Sequence, residues 1–183
     1  MYLNERKNRK IYKLTKNISM QRKHYYKLTV EWTGNKGEGT SAYHSYERTH
    51  SIKSENKDNI LCSSDPVFRG DKTKYNPEEL LVAALSSCHM LSYLHLCTDA
   101  GIVVVDYVDN PTGIMLEFQD GSGHFTIVTL HPVVTITDSS MISKANELHS
   151  RANELCFIAN SCNFEIRHKP TCKISEDSNI NSV

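Results

Sequence analysis

The sequence predicts an α+β fold in which two helices pack on a mainly antiparallel sheet. Three observations carry this. Short segments of alternating or β-branched residues recur along the chain and are separated by Gly, Pro, Asn and Asp. One segment of about 25 residues is apolar nearly all round and carries helix-start and helix-stop residues at its ends. The strands come in runs rather than alternating with helices, which argues against a parallel, doubly wound sheet.

In chain order, His24–Trp32 (HYYKLTVEW) is rich in β-formers and reads as a strand, and the Gly-rich GNKGEGT at 34–40 reads as a turn. In Ala42–Ile52, period-2 spacing places Tyr46, Arg48, His50 and Ile52 on one side of a second strand. Lys53–Tyr75 is polar and irregular and is expected to be a long loop, a functional hint in itself. The strongest element is 76–101, NPEELLVAALSSCHMLSYLHLCTDAG. Asn76 suits the N-cap, Pro77 the first helical position, Glu78 and Glu79 the positive end of the dipole, and Gly101 the stop. A helix apolar on every side must be buried, under a sheet or under another subunit.

Strands are expected at Ile102–Val108, Ile114–Gln119 and Phe125–Ile136. Asp138 is placed to cap a second helix, whose Met141, Ala145, Leu148, Ala152, Leu155 and Cys156 share one face. Asn163–Lys169 reads as the last strand.

At 183 residues the chain suits one domain, placed here at 21–173, between a basic disordered leader (1–20) and a disordered tail (174–183). Residues 1–27 hold nine Lys/Arg and one acid, which leaves 12 basic and 20 acidic residues beyond them. That is a formal net of about −8, the wrong sign for a nucleic-acid-binding core. The first residues lack an apolar signal region, and no uninterrupted apolar run approaches the ~20 residues of a membrane span. A cytoplasmic protein, off the membrane, is expected.

Six cysteines stand at 62, 88, 97, 156, 162 and 172; without a secretory signal they read as thiols rather than a disulfide framework, and with no C-x-x-C pair neither a zinc ribbon nor a thioredoxin motif is supported. A metal site recruiting His89, His95 and Cys97 is disfavoured because the helical angles scatter them. Cys88 lies deep in the long helix among Leu and Ala, with Ser86, Ser87 and His89 beside it. Cys97, nine residues on, faces the opposite side. Cys156 ends the apolar face of the second helix. If the helices pack face to face, it is the cysteine best placed to approach Cys88.

NPEELLVAALSSCHM (76–90) resembles the first-helix motif of the OsmC/Ohr family, and ELCFIANS (154–161) is similar to that family's second-cysteine motif. Tyr46-x-Arg48-x-His50 and Phe68-Arg69-Gly70-Asp71 resemble a subgroup, and the likeness spans roughly residues 24–170. It implies an intertwined homodimer with two central helices wrapped by antiparallel sheets and a site at the subunit interface. It also implies a peroxidase that reduces organic, and also hydrogen, peroxides with no cofactor. Cys88 attacks the peroxide, Cys156 resolves the sulfenic acid as a disulfide, and an external dithiol reduces that disulfide. An Arg and a Glu activate the first thiol. The Glu falls on Glu78, and the Arg on Arg48 in preference to Arg69.

Glu78 lies ten residues before Cys88, about 15 Å along a helix and ~80° around it. It reaches the site only through another chain or an intervening Arg, so an isolated monomer is expected to be inactive. His89 projects ~100° from Cys88 and is expected to pack or hydrogen-bond rather than act as a base. Asn160 and Ser161 are expected to cap. Phe157 and Ile158 stand where some members carry Pro. This departure supports an alternative, a non-catalytic protein of the same fold that senses redox state or binds a small apolar ligand. Leu81, Leu85 and Leu91 would give either protein an apolar pocket.

Overall fold

The computed structural model describes residues 22–176; the leader and most of the expected tail lie outside the described residues. Nine strands form three three-stranded sheets around one long helix. Strands β1 (Thr29–Trp32), β2 (His50–Lys53) and β3 (Ile60–Cys62) make an antiparallel sheet in that order. Helix α1 (Pro77–Asp99) follows. Strands β4 (Val104–Val108), β5 (Thr112–Glu117), β6 (Gly123–Leu130) and β7 (Val133–Ile136) precede α2 (Ile142–Leu155) and the short α3 (Phe157–Ser161). The chain closes with β8 (Glu165–His168) and β9 (Thr171–Ile174).

Helix α1 starts as its sequence requires. The Asn76 side chain accepts from the Glu79 N–H at 2.8 Å, and the Glu79 carboxylate accepts from the Asn76 N–H at 3.1 Å. This reciprocal capping box satisfies two donors that the helix cannot use internally. At the other end Gly101 takes φ +72°, a left-handed turn that glycine adopts without penalty.

The sheets are less purely antiparallel than expected. β6 pairs with β8 in parallel, and so does β7 with β9. The reason is topological: α2 and α3 lie between β7 and β8, and a crossover through helices returns the chain in the same direction. Phe125–Ile136 divides at His131-Pro132 into two strands assigned to different sheets. β9 is an element the sequence reading lacks; it follows Pro170 and reaches Ile174, one residue into the expected tail.

The strand expected over Ala42–Ile52 is shorter and later. Only from His50 is the chain paired in the sheet; before it lie turns and one isolated bridge, Asn35–Tyr46. Arg48 explains the difference, because its guanidinium donates to the Tyr46 and Tyr43 carbonyls at 2.7 and 2.9 Å and curls the segment on itself. The Lys53–Tyr75 stretch holds β3 and a single 3-10 turn at Pro66–Phe68. Asp138 caps a 3-10 turn, Ser139–Met141, rather than α2 itself.

Two apolar clusters anchor the helices. Tyr93, Cys97, Ile102, Val134, Ile136, Ala145, Leu148 and Ala152 hold α1 and α2 on the β4–β7–β9 sheet. Leu85, Val128 and Leu130, with Phe125, Ile158 and Phe164 around them, hold the other half of α1 on β5–β6–β8. Within the chain, α1 buries only the stripe Leu85, His89, Tyr93 and Cys97, one residue per turn. Leu91 is 63% exposed, and every residue of β1 is exposed. By length and average composition α1 also passes for a membrane span, contrary to the expectation from uninterrupted apolar runs. The residues that interrupt it are small or neutral, so they barely lower the average.

A paired-thiol site at the junction of three helices

Cys88 sits in the middle of α1 and is half-buried. Cys156 is the residue between α2 and α3, extended at φ −67°, ψ 110°, and is 1% exposed. It ends one helix and caps the next, and its sulfur accepts from the Ala159 N–H at 3.4 Å. The Cys88 thiol lies near enough to the Cys156 thiol to perturb its ionisation. Burial pushes the Cys156 thiol up, and the adjoining Cys88 pushes it further; the Ala159 N–H works weakly the other way. Both thiols are free. The pair therefore combines an accessible sulfur with a buried sulfur held as a protonated thiol.

The other cysteines do not join this pair. Cys97 and Cys172 belong to the α1–α2 core, and burial raises both thiols. Cys162 packs in the second cluster, and Cys62 is fully buried at the end of β3.

Arg48 is held by its own loop. Its guanidinium lies 4.3 Å from the ring centroids of both Tyr43 and Tyr46, two cation–π contacts from rings set at 79° to each other, in addition to the two carbonyl bonds. Arg69 adopts a left-handed conformation after the 3-10 turn and stands 5.0 Å from the Tyr43 ring. Tyr43 thus gathers both candidate arginines. Glu78 lines an open cavity of about 350 Å³ at the start of α1, with Asp65, Asn76, Glu79, Val82 and Phe125 among its walls. Among the described residues, no hydrogen bond or ion pair joins Arg48, Arg69 or Glu78 to either thiol of the same chain.

Beside Cys88 lies a polar layer of which the sequence reading names Ser86 and His89 but none of their partners. His89 Nε2 and His149 Nδ1 are 3.0 Å apart, and both residues are 1% exposed. Burial first, then His168, lowers His89 to about 4; burial, then His89 and His168, lowers His149 to about 3. Ser86 donates to Asp109 at 2.6 Å, and Asp109 also accepts from the His131 N–H at 2.6 Å. The available sequence signal was the spacing of His149, two helical turns before Cys156. Asn160 bonds back to the Glu154 carbonyl at 2.8 Å and Ser161 to the Phe157 carbonyl at 2.8 Å, so both satisfy helix-end carbonyls. No cluster of His, Cys, Asp or Glu fit to hold a metal occurs among the described residues.

Fold and site together define a small α+β protein built around a central helix that carries one thiol of a pair. The family profile of OsmC-like proteins matches residues 70–171. An OsmC-like protein of unknown function from Vibrio cholerae is 30% identical, over 81% of this chain and 99% of that one, with a TM-score of 0.73. An organic hydroperoxide resistance protein from Elizabethkingia anophelis shares the fold at 20% identity, over 84% and 100% of the two chains, with a TM-score of 0.60. One from Legionella pneumophila does so at 15% identity, over 82% and 99%, with a TM-score of 0.57. No curated protein matches the chain. The chain belongs to the OsmC-like family.

Proposed function

We propose that this protein is a dithiol-dependent peroxidase that reduces organic hydroperoxides, and also hydrogen peroxide, as a homodimer. The observation that carries the reading is the contact between a half-exposed Cys88 and a buried Cys156. The names of the Elizabethkingia and Legionella relatives support the substrate class.

The Cys88 thiolate attacks the outer peroxide oxygen. The O–O bond breaks, and the leaving alkoxide takes a proton to become an alcohol, or water from hydrogen peroxide. Cys88 is then a sulfenic acid. The Cys156 sulfur displaces its hydroxyl group, which leaves as water with the Cys156 proton, and the Cys88–Cys156 disulfide forms. An external dithiol restores both thiols by exchange and is itself oxidised to a disulfide. Burial of Cys156 suits the second step, because only a sulfur already at its side can be attacked.

The thiolate needs a cation. Arg48 is the first choice and Arg69 the second, delivered by the partner subunit, with Glu78 bracing the guanidinium. The exposed β1 sheet and the single buried stripe of α1 support a partner that covers both. The protein works in the cytoplasm on soluble substrate and reductant, with no nucleic acid or membrane.

The test is consumption of cumene hydroperoxide with a dithiol. The Cys88→Ser variant is expected to lose it, and full activity in that variant overturns the assignment. A second reading, a redox sensor or apolar-ligand protein, draws on the two tyrosine rings that occupy Arg48. It predicts a single oxidation by peroxide without repeated turnover.

A further inference from the structure

The two cysteines ride on different helices, so their approach depends on how α1 and α2 are set against each other. His89 is the residue next to Cys88, and His149 lies on α2, seven residues before the Cys156 junction that ends that helix. These two imidazoles face each other in the core, with Nε2 of His89 and Nδ1 of His149 3.0 Å apart and the ring planes at 9°. Tyr93 stacks on His149 at 3.9 Å, and His168 from β8 tilts against His89 at 5.7 Å. Ser86, two residues before Cys88, is tied in turn to Asp109.

Apolar side chains would fill this space without the cost of stripping water from two imidazoles. Moreover, Nδ1 of His89 and Nδ1 of His168 are buried without partners among the described residues, so the layer carries a penalty that these residues do not offset. What a hydrogen bond adds, and leucine packing lacks, is direction: it holds only over a limited range of length and angle, so a shift of about an ångström or more between the helices breaks or bends it. We propose that the His89–His149 hydrogen bond is a positioning device that sets the axial register of α1 against α2, and with it the rate at which the Cys88 and Cys156 sulfurs join. Both histidines act through the helices that carry the cysteines and touch no substrate. The inference rests on the Cys88–Cys156 pairing but not on the choice of peroxide as oxidant.

The test therefore uses diamide. The Cys88 thiolate adds to its N=N bond, and the Cys156 sulfur displaces the reduced hydrazine, so two thiols give one disulfide and the reagent takes up two electrons and two protons. The rate of this joining step is read by quenched-flow mass spectrometry, beside the rate of Cys88 alkylation by iodoacetamide. His149→Leu is expected to slow joining about tenfold or more, since misplacements of about 1 Å cost reacting pairs up to 10²-fold. Its Cys88 alkylation should stay within about twofold. His149→Asn, whose amide stands where Nδ1 stood, is expected to restore most of the rate, and His149→Gln, whose amide lies one bond farther out, is not. Should His149→Leu fail to fold, the Asn–Gln contrast carries the test. Joining at the wild-type rate in His149→Leu or in His149→Gln overturns the proposal. So does His149→Asn matching His149→Gln, or a fall in alkylation parallel to the fall in joining. Loss of peroxide consumption with intact diamide kinetics would instead count against the peroxidase reading alone.

Discussion

At the scale of single residues, the site is an asymmetry between two sulfurs. Cys88 is open to solvent on one side; Cys156 is enclosed, and its thiol is held protonated by burial and by its neighbour. Replacing Cys156 by Ser is therefore expected to leave the first attack intact and strand the oxidised Cys88. Dimedone should label Cys88 stoichiometrically in that variant after one equivalent of peroxide, while dithiol-driven turnover falls by an order of magnitude or more. Equal labelling of wild type and variant would argue that Cys156 does not resolve the intermediate. The histidine layer makes a separate prediction about pH. His89 and His149 bind protons only near 4 and 3 in the folded chain, against a usual 6.5 when unfolded, and burial is the main cause in both. His168 is lowered for the same reason, and Asp109 offsets only part of the effect at His89. Acid therefore loads the unfolded chain first. The stability that depends on these neutral rings is complete above about pH 6.5 and drains away as pH falls toward 4. Each ring contributes a slope of up to about 1.4 kcal/mol per pH unit in that window. Urea midpoints measured between pH 7 and 4.5 should fall, and should fall less steeply in His149→Asn.

At the scale of elements, the ends of α1 were legible because every rule pointed the same way. Asn76, Pro77 and Gly101 stand where the sequence put them, and Glu79, expected only to meet the dipole, also closes a capping box with Asn76. Removing the cap by Asn76→Ala should cost about 0.5–2 kcal/mol, seen as a lower thermal midpoint. Leu85→Ala, in the smaller core cluster, should cost about 2–5 kcal/mol. What was not legible has local causes. Arg48 is one of them: period-2 spacing reads as strand, but a guanidinium able to bond two nearby carbonyls and stack on two tyrosines bends the backbone before pairing begins at His50. Pro170 hid β9, since four residues after a proline give too short a pattern to stand out. Cys156 shows the same limit at the site. Helical spacing put it on the apolar face of α2, whereas it is the extended junction that caps α3, which is how it comes to face Cys88. The His149 and His168 partners of His89 come from α2 and β8; the spacing of His149 from Cys156 was visible, but local spacing does not say which distant residue it meets.

At the scale of the whole molecule, the single chain leaves its most apolar helix with one buried stripe and its first sheet with β1 fully exposed. Apolar surface left open on this scale suits the partner subunit proposed above. Light scattering is expected to give twice the chain mass. Introducing a charge at Leu91 (Leu91→Glu) should yield monomer and reduce peroxide turnover with it, because the guanidinium assigned to Cys88 is expected from the partner. A fully active monomer would contradict that assignment.

The central claim is that one particular pair of sulfurs, of the six in the chain, is joined by peroxide. Reduced protein treated with one equivalent of cumene hydroperoxide, digested without reductant and mapped by mass spectrometry, tests it most directly. The account predicts a peptide cross-linked through Cys88 and Cys156, with Cys62, Cys97, Cys162 and Cys172 remaining as thiols. A different cross-link, or Cys88 still reduced while peroxide is consumed, would contradict it.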